Sequence, residues 1–103
     1  MSDNGNGCPE FALIIRTARQ RRGMTQKFVA QSIGISVQFM MDLEKGKRFP
    51  REETIQKLAD TLSIPLDALY ATRGTFPPDL KKIIRRKPSL MLQIRQLLVG
   101  GMQ

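Results

Sequence analysis

Apolar positions recur along most of the chain with the three-to-four-residue step of helices. In the first periodic segment Phe11, Ile14, Ile15 and Ala18 fall at i, i+3, i+4 and i+7, one helical face. Cys8-Pro9-Glu10 opens it, with proline at the tolerated first position and a carboxylate in the first turn. Arg19, Arg21 and Arg22 occupy its last turns and Gly23 ends it. Thr25 then offers a cap for a second helix whose apolar face is Phe28, Val29, Ala30 and Ile33, closed by Gly34. Ser36 caps a short third helix running through Glu44, with Met40 and Leu43 inward and Lys45-Gly46 as its stop.

The pair Phe49-Pro50 is a break. Ile55, Leu58, Ala59 and Leu62 line one side of a fourth helix, and Ile64-Pro65 opens a short fifth with Leu66, Leu69 and Tyr70 apolar. A connection over residues 71–76 contains Gly74. Pro77-Pro78-Asp79 starts a sixth helix carrying Leu80, Ile83 and Ile84; Pro88 interrupts it, and Ser89 to Val99 form the last. No segment of useful length alternates with period two, so the pattern predicts an all-α fold. It contains neither an internal repeat nor a heptad run long enough for a coiled coil.

At 103 residues with 41% hydrophobic positions, the chain can build one small packed domain and a short appendage. Its net charge of +8 is unevenly spread. Residues 16–51 hold nine basic and two acidic side chains, residues 52–72 are net acidic, and residues 73–103 are basic again. A basic block beside an acidic one makes a directional surface, of the kind that meets a polyanion. The absence of histidine and the single cysteine exclude a histidine-based zinc site, a Cys–His nucleophile, a serine triad and an intramolecular disulfide. No metal and no cofactor are expected. The acidic pairs Glu52-Glu53 and Asp42/Glu44 converge with no nucleophile, and no glycine-rich phosphate loop is present, so no enzyme is expected. Cys8 reads as a plain thiol, since no second cysteine can resolve an oxidised one. No stretch approaches the ~20 apolar residues of a membrane span. Met1 to Gly7 has neither a basic nor an apolar region of a signal peptide, so no membrane contact and a cytoplasmic location on the bacterial nucleoid are expected.

Residues 25–46 carry the most information. Two short helices joined around a glycine make a helix-turn-helix. Gly34 supplies the positive φ of the bend, small Ala30 lets the helices cross closely, and Ile33, Met40 and Leu43 fill the space between them. Thr25-Gln26, Ala30, Gly34, Ser36 and Glu44-x-Gly46-x-Arg48 together form a specific pattern. Helical rotation of ~100° per residue puts Val37, Gln38, Met41, Asp42 and Lys45 on the outer face of the third helix.

On these residues the run 16–70 resembles the lambda-type phage repressor, or Xre-like, helix-turn-helix family. The resemblance implies a five-helix bundle that binds operator DNA as a homodimer. Here it is followed by a two-helix C-terminal extension. Residues 1–8 then form a flexible tail, 9–72 the DNA-binding domain, and 73–103 an extension that dimerises. The resemblance puts Val37, Gln38 and Asp42 at base edges, with Met41 on the same face. Gln38 can pair with the N6/N7 edge of adenine, Val37 with a thymine methyl, and Asp42 can accept from cytosine N4. Thr25, Gln26 and Ser36, at helix N-termini, are expected on the sugar-phosphate backbone, with Lys27, Lys45, Lys47 and Arg48 flanking. The family pairs the positions of Arg19 and Glu44 in a structural ion pair. Phe39 lies at the border of core and groove, and packing is its expected role.

Two questions stay open at this level. Leu90, Met91, Ile94, Leu97 and Leu98 either cover the five-helix body or form a dimer interface, the favoured reading. The run Lys81, Lys82, Arg85, Arg86 and Lys87 either binds flanking phosphate or solvates its helix. The expected function is a sequence-specific transcriptional regulator, a repressor, on a palindromic operator in double-stranded DNA. The alternative is an antitoxin that binds a toxin and represses its own operon, because SVQFMMDLEKGK also resembles small antitoxins of the HipB-like branch.

Overall fold

The computed structural model describes residues 7–101, with side chains described through residue 97. Seven helices and no strand occur among the described residues: α1 (Pro9–Arg21), α2 (Gln26–Ile33), α3 (Val37–Glu44), α4 (Glu52–Leu62), α5 (Leu66–Ala71), α6 (Pro78–Arg86) and α7 (Ser89–Gly101).

Local chemistry sets the boundaries. Thr25 and Ser36 each accept the backbone N–H of the third helical residue, Phe28 at 2.9 Å and Phe39 at 3.0 Å. Gly34 closes α2 in the left-handed region at φ 77°, which turns the chain so that Ile35 N–H reaches Ala30 O at 3.0 Å. Ser63 takes the same conformation at the end of α4, with φ 55°.

The core lies where α1 to α5 meet. Helix α2 packs on α3 and α4, α1 on α3 and α4, and α5 on α4. Phe11 and Ile15, Val29, Ala30 and Ile33, Met40 and Leu43, Ile55, Leu58 and Leu62, and Leu69 are all buried. Phe49 closes one side, its ring tilted on Phe11 at 4.7 Å between centroids, with the Arg73 guanidinium carbon 4.3 Å from the centre of the Phe49 ring.

Two expectations need correction. Phe28 is 52% exposed rather than part of the α2 core face. Val29, Ala30 and Ile33 fill that face, and Phe28 lies one helical step outside it, in line with exposed Ser32. The tail is shorter at its inner end: Cys8 is buried, with Sγ 3.4 Å from Thr72 O. Gly7 passes so close to the turn after α3 that a Cβ there would lie 2.0 Å from Gly46 O. Residues 1–6 of the expected tail lie outside the described residues. Helices α6 and α7 make their main helix–helix contact with each other, and α6 buries none of its residues fully.

Candidate nucleic-acid interface

The reading face is built on α3. Its inner side is fixed by Met40 and Leu43, both without solvent exposure. That leaves Val37 and Gln38 exposed and Met41 and Asp42 half-buried on the outer side. An apolar side chain such as Val37, 37% exposed beside a polar amide, suits contact with a groove edge. Phe39 is half-buried against the core, with the Arg48 guanidinium 5.8 Å from its ring centre.

Polar groups on this face are linked. Gln38 Nε2 donates to Asp42 Oδ1 at 3.1 Å, and Arg48 Nε lies 3.7 Å from Asp42 Oδ2. The i, i+4 spacing of Gln38 and Asp42 could have disclosed the first bond in the sequence. The stacking of Arg48 back over α3 carried no such signal, because it depends on the turn at Gly46.

Flanking positions follow the two helix N-termini. Thr25 and Ser36 are exposed; their oxygens serve as caps while each hydroxyl proton stays available to a phosphate. Lys27, Lys45 and Lys47 are exposed around them. Gln26 departs from expectation. Its Nε2 turns inward and donates to Glu44 Oε1 at 2.9 Å, and the residue is half-buried.

Behind this surface sits a buried polar joint. Arg19 Nε donates to Glu44 Oε2 at 2.6 Å, Arg19 Nη2 to Glu44 Oε1 at 2.9 Å, and Arg19 Nη1 to Met24 O at 2.8 Å. Hydrogen bonding to Glu44 raises the Arg19 pKa above its ordinary value, against the opposing effect of burial. The joint ties α1, the loop before α2, the start of α2 and the end of α3 into one unit.

The extension presents apolar side chains. Met91, Leu97, Leu92 and Ile83 are 46%, 76%, 60% and 47% exposed. Leu90 and Ile94 are half-buried, and the Leu98 side chain lies outside the described residues. Leu92 was not anticipated. Phe76, Lys81, Ile84, Arg85 and Met91 line a shallow hollow of about 250 Å³. Lys82, Arg86 and Lys87 are exposed. No group of three or more Cys, Asp or Glu side chains that could hold a metal occurs among the described residues. No helix there is long and apolar enough to cross a membrane.

Residues 15–69 match the helix-turn-helix family HTH_3, just over half of the chain. The HTH-type transcriptional regulator DdrOP3 of Deinococcus deserti is 35% identical over 88 residues, covering 78% of this chain and 67% of its own. The cryptic phage CTXphi transcriptional repressor RstR of Vibrio cholerae is 35% identical over 81 residues, with 78% and 73% covered. The crystal structure of an HTH_3 family transcriptional regulator from Vibrio cholerae superposes with a TM-score of 0.56 at 25% identity. That match covers 69% of this chain and 43% of the other. With its capped α2–turn–α3 unit and these relatives, the chain belongs to the HTH_3 family of lambda-type, Xre-like DNA-binding transcription regulators, a class of regulators and not of enzymes.

Proposed function

We propose that the chain is a repressor that binds a palindromic operator as a homodimer, with half-sites about one helical turn apart. The observation that carries this reading is the outer face of α3: Val37 and Gln38 stand exposed over a fully buried Met40 and Leu43, ringed by exposed Lys27, Lys45 and Lys47. In this reading Val37, Gln38 and Met41 meet base edges in the major groove. Thr25, Gln26 and Ser36 meet phosphate through hydroxyl, amide and backbone N–H groups, and the lysines neutralise phosphates on either side. A repressing role is supported by likeness to RstR, which is named a repressor. Dimerisation through the extension is supported by the apolar side chains that α6 and α7 leave exposed.

In-vitro selection of bound DNA from a random pool tests the proposal. The expected result is an enriched inverted repeat. Gln38→Ala is expected to lose preference at one base pair in each half-site. Lys45→Ala is expected to weaken binding to all sequences alike and to reduce the slope of log affinity against log salt by about 1. A pool without an enriched motif overturns the reading.

A further inference from the structure

We infer that Asp42 is a positioning residue that locks the Gln38 amide in the orientation selecting adenine over guanine. The inference rests on the reading above that α3 lies in the major groove.

An ionised carboxylate only accepts hydrogen bonds, so only the NH2 end of Gln38 can face Asp42 at 3.1 Å. The orientation of the amide is thereby decided: Nε2 lies toward the next turn of α3 and Oε1 lies away from it. One N–H of the amino group is committed to Asp42. Giving Asp42 the N–H that lies trans to Oε1 leaves the other N–H and Oε1 side by side along one amide edge. That pair, one donor and one acceptor, matches the N7 acceptor and N6 donor of adenine. Guanine offers two acceptors, N7 and O6, at the same edge. An amino group already giving one proton to Asp42 has a single proton left for them, and Oε1 would face an acceptor.

Two neighbours make the lock tenable next to DNA. Asp42 is largely sheltered, with a side-chain exposure of 20%. Arg48 lies 3.7 Å from its other oxygen and over the Phe39 ring, and so offsets a negative charge that phosphates would otherwise repel. Asp42 thus acts through Gln38, one oxygen accepting from its amide and the other facing the Arg48 guanidinium.

The test measures binding of the full-length protein and its variants to the selected operator and to operators changed at one base pair per half-site. Gln38→Ala identifies the pair that Gln38 reads. At that pair the wild-type protein is expected to prefer adenine. Asp42→Ala is expected to reduce the adenine-to-guanine preference by about 10-fold, the scale of one bidentate contact, with the preference elsewhere unchanged. Asp42→Asn keeps an acceptor oxygen in reach of Nε2 and is expected to retain most of it. Combining Asp42→Ala with Gln38→Ala should add nothing to Gln38→Ala. Should Asp42→Ala fail to fold by circular dichroism, Asp42→Ser, too short to reach Gln38, replaces it with the same expected result. The inference is overturned by an unchanged preference in Asp42→Ala, by a change at a different base pair, or by wild-type preference for guanine. Wild-type base selectivity in Gln38→Ala would instead sink the major-groove reading itself.

Discussion

Glu44 shows what a single buried side chain contributes. It is 4% exposed and receives the Arg19 guanidinium on both oxygens and the Gln26 amide on one. Such a pair adds little net stability against an apolar replacement, but removing one partner strands the other charge. Glu44→Ala is expected to lose about 3–5 kcal/mol, read as a drop of more than about 10 °C in the thermal midpoint. Replacing Arg19 and Glu44 together by methionine is expected to cost much less. A Glu44→Ala protein with unchanged melting but lost DNA binding would turn the residue from a structural brace into a contact. The partners of Glu44 were unequally legible. A family resemblance names Arg19, whereas the inward turn of Gln26 depends on a carboxylate 18 positions away that only folding brings beside it.

At the scale of the element, the ends of α2 and α3 are written in neighbouring residues and could be read directly. Thr25 and Ser36 cap with their own hydroxyls, and Gly34 bends the chain with its own backbone. Nothing lies within 4 Å of where a Cβ on Gly34 would sit. Gly34→Ala therefore meets only the conformational cost of a positive φ, about 1–2 kcal/mol, and is expected to lower the melting midpoint without altering base preference. Faces were harder to read than ends. Phe28 fits the apolar stripe of α2 in sequence, yet the available core width holds Val29, Ala30 and Ile33 and leaves the ring outside. Spacing locates a stripe to within a helical step, and the neighbouring helix decides which margin is covered.

Taken whole, the molecule is longer than a packed bundle. Its radius of gyration of 15.5 Å exceeds the roughly 13 Å of a compact domain of about 100 residues. Within it, α6 and α7 make their main helix–helix contact with one another. If a second copy covers them, Leu97→Glu puts a charge into the interface while touching no buried position, Leu97 being 76% exposed. The expected outcome is a monomer by light scattering with an unchanged helical spectrum and weakened binding to the full palindrome. A dimeric Leu97→Glu protein would move the interface elsewhere. The lone thiol of Cys8 is buried, with Sγ 3.4 Å from Thr72 O. Dyes and spin labels coupled through sulfur would thus find no purchase on the native surface, which leaves cysteines introduced at sites such as Leu97 or Lys45 free to be tagged one at a time, with the natural sulfur left in place.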